Sequence, residues 1–166
     1  MTQHDPALLA SRLPYQHGYV TSDVEQAAAQ FGREMGITQF LITDFTLTPS
    51  SPRGPMAIKC RIGFAYVNGL MIELIEPLSG DEGVYTSVLP DSGFAIVLHH
   101  FAYLVDEAVD WGAFRDRVEP GRLLFENAGT LSYLYVDTRD QLGHHLEYMQ
   151  ISAERHAALR AMIPAN

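Results

Sequence analysis

The stretch His99-His100-Phe101-Ala102-Tyr103-Leu104-Val105-Asp106 decides the fold. Its apolar run predicts a buried β-strand that carries an imidazole and ends at an acidic residue able to begin a helix. The stretch His17-Gly18-Tyr19-Val20-Thr21-Ser22-Asp23 follows the same plan 83 residues earlier, with His17 aligned to His100. A period of half the chain is typical of a duplicated module, so the sequence predicts two copies of one β-α-β unit.

The first half of the chain predicts the element order β, α, β, β, β. Asp23, or the serine before it, can cap a helix that runs to about Met35, and Gly36 follows as a stop signal. Asn68-Gly69 is a strong two-residue hairpin signal between two strands. Residues 49–55, rich in proline and serine, predict a turn or loop. The predicted strands cover residues 15–21, 37–47, 56–66 and 70–75.

The second half predicts the same order, with strands at residues 98–105, 121–125, 130–137 and 144–151 and a helix at 106–118. A short helix is expected at residues 84–89, and a closing helix at 153–162 has no counterpart in the first half. We therefore expect an α+β fold in a single domain over residues 1–166, with a polar arm through residue 12. The expected parts are a first βαβββ module at 15–77, a second at 94–151, and a C-terminal helix and tail at 152–166.

Composition limits the partners. A formal charge of −9 argues against nucleic acid and anionic membranes, which favour basic surfaces. The single cysteine, Cys60, excludes an internal disulfide and fits a reducing compartment, although an extracellular bacterial protein could share this feature. No segment has the apolar length of a membrane span or of a signal peptide. We expect a cytoplasmic protein with no nucleic-acid or membrane partner.

Four polar residues lie inside predicted strands at matching places of the two copies. His17 and His100 head the first strand of each copy, and Glu73 and Glu147 lie in the last strand of each. A carboxylate flanked by apolar strand residues is costly to bury unless it is paired or holds a metal. Two imidazoles and two carboxylates brought to one point suit a divalent first-row ion and leave positions open for a substrate or water.

A simpler interpretation exists for each residue alone. A histidine at the head of a strand is more often structural than a ligand, and an isolated strand glutamate usually faces solvent, but the symmetric placement favours a metal site. Alternation puts His99 and His144 on the opposite face, so both are expected outside. His145 shares a face with Glu147 and is a candidate for contact with substrate or with a ligand. Tyr19 and Tyr66 are sheet formers that could also line a pocket.

The chain resembles the glyoxalase / bleomycin-resistance / dioxygenase superfamily, also called vicinal oxygen chelate proteins, from residue 15 to about 151. The pieces that carry the resemblance are residues 16–27, 71–77, 99–103 and 142–148 in this order and spacing. The likeness is closest to the glyoxalase I and methylmalonyl-CoA epimerase branch. It implies paired βαβββ modules curled into a cup, a homodimer, and metal ligands at His17, Glu73, His100 and Glu147.

The resemblance implies a divalent-metal-dependent lyase or isomerase that acts through a metal-stabilised enolate on a small carbonyl or thioester substrate. The ion would be Zn, Ni, Co, Mn or Fe, with Glu147 as the first candidate base and Glu73 as the second. Residues 54–59 hold no carboxylate, which counts against a two-base epimerase. The alternatives are an Fe(II) extradiol-type dioxygenase, against which Glu73 counts, a non-catalytic small-molecule-binding protein, and a metal-free structural module.

Overall fold

The computed structural model describes Ala10 and residues 13–166, so the predicted N-terminal arm lies outside the described residues apart from Ala10. The strands are β1 Gln16–Thr21, β2 Leu41–Leu47, β3 Ser50–Ser51, β4 Gly54–Pro55, β5 Ile58–Val67, β6 Leu70–Gly80, β7 Ile96–Leu104, β8 Leu123–Asn127, β9 Ser132–Val136 and β10 His145–Gln150. The helices are α1 Val24–Met35, α2 Gly83–Thr86, α3 Trp111–Arg115, α4 Arg139–Leu142 and α5 Ala153–Met162.

The strands form one curled, mixed sheet whose order is β2-β5-β6-β1-β7-β10-β9-β8-β3-β4. Apart from β3 and β4, which extend the edge at β8, the order is mirrored about the antiparallel pair of β1 and β7. Within each half the first strand runs parallel to the last, β1 with β6 and β7 with β10. The expected α+β cup built from two βαβββ modules, with a C-terminal helix, is confirmed, whereas the exact module boundaries stay a prediction.

Helices α1 and α3 pack on the outer face of the sheet. Helix α1 begins after Asp23, whose carboxylate accepts from the Gln26 backbone N–H at 2.9 Å, and ends at Gly36 with φ of 72°, as predicted. Helix α3 is shorter than expected because its cap is Asp110, whose carboxylate accepts from Ala113 N–H. Asp106 instead closes a turn by accepting from the Ala108 N–H.

The inner face of the sheet carries an apolar cluster of its own, which includes Tyr85 of α2, Phe125 of β8 and Tyr135 of β9. Helix α5 covers another part of this side, where Leu159 packs with Tyr66. The predicted loop at 49–55 contains the small hairpin of β3 and β4, and β3 pairs with β8. Among the helices of the described residues, none has the length and apolar character needed to cross a membrane.

Candidate functional site

Four polar side chains from four adjacent strands meet on the inner face, and we call them the central cluster. They are Gln16 of β1, Glu73 of β6, His100 of β7 and Glu147 of β10, all buried. Nε2 of His100 lies 3.3 Å from Glu73 Oε2 and 3.2 Å from Glu147 Oε2. The Gln16 amide nitrogen donates to Glu73 Oε2 at 2.7 Å and lies 3.2 Å from His100 Nε2.

The strand registers explain why these four residues meet. The residues opposite the two glutamates of the cluster are Gly18 in β1 and Ala102 in β7. Gln16 lies two residues before Gly18, and His100 lies two residues before Ala102. Gln16 and His100 are therefore the equivalent positions of the two copies. The offset between the copies is thus 84 residues at this point, from residue 16 to residue 100, and not the 83 that the sequence pattern indicated.

The structure does not bring His17 together with the other three predicted ligands. Adjacent strand residues face opposite ways, so the inward direction of Gln16 turns His17 to the outer face. There the His17 ring packs against Phe101 with ring centroids 4.5 Å apart, and the His144 ring also packs against Phe101, with centroids 4.4 Å apart. Gln16 occupies the place in the cluster that was expected for His17.

The charges of the central cluster depend on one another. Burial disfavours a charge on His100, but the adjacent carboxylates of Glu147 and Glu73 outweigh burial and raise the pKa of His100 to about 9. Burial raises the pKa of Glu147, and the neighbouring His100 acts in the opposite direction. Two carboxylates therefore share one imidazole, an arrangement that favours binding of a further positive charge.

The donor atoms of the cluster fit a divalent ion by type. Among the described residues, Gln16 Oε1 is buried without a hydrogen-bond partner, and Glu147 Oε2 is close to His100 Nε2 but not aligned with it for a hydrogen bond. A half turn of the Gln16 amide would direct Oε1 into the cluster, which would then offer one nitrogen and three oxygens. In the present side-chain arrangement these groups contact one another. No three His, Cys, Asp or Glu side chains of the described residues are spaced as a metal site.

His145, the predicted substrate contact, lies at the edge of a cavity of about 750 Å³. The cavity is bounded by the β3–β4 hairpin, helix α2 and the segment that leads into β8, and its lining includes Arg53, Met56, Val84, Phe125, Arg139 and His145. Nδ1 of His145 lies 3.4 Å from an oxygen of Asp137, and neither ring nitrogen has a hydrogen-bond partner among the described residues. Burial lowers the pKa of His145 to about 4, so the ring is neutral at pH 7.

The two predicted tyrosines lie away from the central cluster. Tyr19 faces outwards and packs edge-on against Phe31 of helix α1, with ring centroids 5.2 Å apart. Tyr66 packs with Leu159 of helix α5, and the Arg160 guanidinium lies 4.9 Å from the centre of its ring. Among the described residues, no hydrogen bond or ring contact joins either tyrosine to the cluster, and the buried Tyr66 hydroxyl has no hydrogen-bond partner there.

The sequence patterns missed two residues of the site besides Gln16. The prediction that His99 lies outside is wrong, because its side chain is 1% exposed and its Nδ1 is 3.1 Å from Nδ1 of His100. The Tyr135 hydroxyl lies 3.5 Å from His100 Nε2, because Tyr135 stands opposite Glu147 in the pairing of β9 with β10. Strict alternation along a strand cannot predict the contact of His99 with His100. Predicting the contact of Tyr135 with His100 requires the register of the paired strands.

No protein-family model matches the sequence, and no curated protein matches it either. The fold is similar to that of methylmalonyl-CoA epimerase from Mycobacterium tuberculosis, at 18% identity over 87% of this chain and 91% of the other, with a TM-score of 0.53. A variant of the Streptomyces coelicolor methylmalonyl-CoA epimerase, in complex with 2-nitronate-propionyl-CoA, matches at 17% identity over 85% and 95% of the two chains, with a TM-score of 0.53.

A hypothetical protein from Bacillus halodurans matches at 14% identity over 84% of this chain and 94% of the other, with a TM-score of 0.52. These similarities extend over nearly all of each chain, and at such identities they concern the fold. The chain has the cup-shaped, glyoxalase-like fold.

Proposed function

We propose that the protein is a divalent-metal-dependent lyase or isomerase that removes a proton from the carbon next to a carbonyl or thioester group. The observation that carries this proposal is the central cluster, in which strands β1, β6, β7 and β10 bring two carboxylates, one imidazole and one carboxamide into mutual contact. A purely structural cluster of this composition would bury two carboxylates against one imidazole, which is costly.

Gln16, Glu73, His100 and Glu147 would hold the ion. When bound, a divalent ion supplies a positive charge that stabilises negative charge developing on a carbonyl oxygen of the substrate. The resemblance to glyoxalase I and the epimerases supports this chemistry, and Gln16 replaces His17 in the proposed ligand set for the geometric reason given above.

Glu147 is the proposed base, with Glu73 as the second candidate. Because burial raises the pKa of Glu147, its carboxylate holds a proton more firmly than an exposed glutamate does. Glu147 would take the proton from the substrate carbon while the electron pair of the broken C–H bond moves towards the carbonyl. An isomerase then returns the proton to the substrate, whereas a lyase releases the electron pair by expelling a leaving group.

The cavity beside His145 is the proposed place for the remainder of the substrate. Its size is that of ordinary small-molecule sites, and His145 lies on β10 two residues before Glu147 and faces the same way. A homodimer and a cytoplasmic location stay predictions that rest on the resemblance and on composition.

The test begins with elemental analysis of the purified protein after incubation with Zn, Ni, Co, Mn or Fe(II). The loaded protein is then assayed in deuterium oxide with hemithioacetals of 1,2-dicarbonyls, acyl-CoA thioesters and catechols. Metal-dependent uptake of deuterium next to the carbonyl would support the proposal. Cleavage of a catechol ring by the Fe(II) form would instead indicate a dioxygenase, and a protein that retains no divalent ion would refute the metal site.

A further inference from the structure

A β-bulge turns two consecutive histidines of β7 towards the interior. In the pairing of β7 with β1, His100 stands opposite Gly18 and Leu98 stands opposite Tyr19, so His99 has no partner in β1. An extra residue of this kind lets neighbouring side chains leave the usual alternation. As a result both imidazoles are buried, His99 at 1% and His100 at 0% exposure.

The contacts of His99 determine where its proton lies. Nε2 of His99 is 3.2 Å from the backbone carbonyl oxygen of Val84 in helix α2. A carbonyl oxygen only accepts, so Nε2 of His99 must carry the hydrogen of this bond. His99 is buried, and its ring and hydrogen-bond contacts among the described residues are Tyr85, Tyr135, His145, His100 and the Val84 carbonyl, none of which is a carboxylate. Such surroundings disfavour a second proton, so Nδ1 of His99 is a bare acceptor.

The acceptor on His99 in turn fixes the orientation of His100. The two Nδ1 atoms are 3.1 Å apart, a distance at which one nitrogen must donate and the other accept. Because Nδ1 of His99 accepts, Nδ1 of His100 donates. In the neutral form of His100, the lone pair therefore lies on Nε2, the atom within 3.3 Å of both glutamates of the central cluster.

We propose that His99 is a positioning residue, which fixes the tautomer and ring orientation of His100 so that Nε2 faces Gln16, Glu73 and Glu147. This inference rests on the proposed function only in its consequence for metal binding. The hydrogen bond between the two imidazoles can be tested without any bound ion. The chain from the Val84 carbonyl through His99 to His100 also ties helix α2, which borders the cavity, to the central cluster.

The direct test is nuclear magnetic resonance of the metal-free protein with ¹⁵N-labelled histidine. A scalar coupling through the hydrogen bond is expected between Nδ1 of His99 and Nδ1 of His100. Absence of this coupling, with both ring signals assigned and the protein folded, would overturn the proposal. A parent protein that shows the coupling but binds no zinc would refute the metal site while leaving the role of His99 in orienting His100 intact.

Two variants separate positioning from packing. His99→Phe keeps a ring of similar shape but removes both nitrogens, whereas His99→Asn removes the ring and keeps an acceptor near the place of Nδ1. Loss of a group that orients a metal ligand typically weakens metal binding by about 10- to 100-fold. We expect such a loss of zinc affinity in His99→Phe and a smaller loss in His99→Asn, measured by calorimetry on variants shown to be folded. The reverse order would mean that His99 acts only by filling space.

Discussion

The ring of His100 occupies the space that a side chain at Gly18 would need. A β-carbon built on Gly18 would lie 1.9 Å from Cε1 of His100 and 2.3 Å from its Nε2. The two residues stand opposite each other in the pairing of β1 with β7, next to the bulge. The absence of a side chain at position 18 is therefore a condition for the position of His100 in the central cluster.

Gly18→Ala should displace the His100 ring and disrupt its contacts with both glutamates. Overpacking a well-packed interior typically costs about 1–3 kcal/mol, so the free energy of unfolding in urea should fall by about this amount. Zinc binding should be lost or strongly weakened. Gly32→Ala is the matched control, because the nearest described atom outside the adjoining backbone of helix α1, the Ile37 carbonyl oxygen, would lie 3.5 Å from a β-carbon built there, and alanine favours the helix. An unchanged zinc affinity in Gly18→Ala would contradict the geometry described.

The same neighbourhood shows how far the sequence could predict the site. Asp23, Gly36 and Asn68-Gly69 carry local signals for a cap, a helix end and a tight turn, and the structure has each of them. The position of His17 was inferred from its spacing to Asp23, matched to the spacing of His100 from Asp106. That match fails because Asp106 closes a turn, whereas the residue that caps helix α3 is Asp110, four positions later.

The remaining differences have a similar physical cause. Residues 49–55 read as a loop because a two-stranded hairpin as short as β3 with β4 has no hydrophobic alternation of its own, and it depends on pairing with β8. Glu73, His100 and Glu147 could be singled out because a charged or polar residue in an apolar strand is conspicuous. Gln16 could not be singled out in this way. Until the inward face of β1 is known, the neighbouring histidine is the stronger candidate for a ligand.

Gln16→Leu and His17→Leu test which of these neighbours belongs to the central cluster. Leucine has nearly the volume of glutamine but no donor or acceptor. We expect Gln16→Leu to weaken zinc binding by at least about 10- to 100-fold, because losing a group that only supports a metal ligand already weakens binding by this much. His17→Leu should bind zinc like the parent, because His17 contacts Phe101 on the outer face. The opposite result would restore His17 as the ligand.

Zinc affinity should depend on pH through His100. With its pKa raised to about 9 by the two carboxylates, His100 carries a proton on Nε2 at neutral pH that must leave before that nitrogen binds an ion. The affinity should therefore rise by about tenfold per pH unit from about pH 7 and level off above the pKa of about 9. Calorimetry in buffers of different ionisation enthalpy should show release of about one proton per ion near neutral pH. Binding without proton release would show that His100 is not a ligand.

Cys60 should be unreactive in the folded protein. Its side chain is fully buried in the inner apolar cluster, and burial raises the pKa of the thiol to about 12. Since the thiolate is the reactive form, almost none is available at pH 8. A disulfide reagent at that pH should label Cys60 only after denaturation, with a rate that follows unfolding. Rapid labelling of the native protein would mean that strand β5 opens, or that the inner face is more accessible than the structure shows.

Glu147→Gln separates the role of a base from that of a ligand. Glutamine keeps the shape and a neutral oxygen but cannot take a proton at neutral pH, so the variant should still bind metal, though more weakly. With metal saturating, exchange of the substrate proton with solvent deuterium should slow by about 100-fold or more, as expected for a lost general base. Glu73→Gln is the matched control, since it makes the same change in the carboxylate on the other side of His100. Slow exchange in Glu73→Gln combined with normal exchange in Glu147→Gln would transfer the role of the base to Glu73.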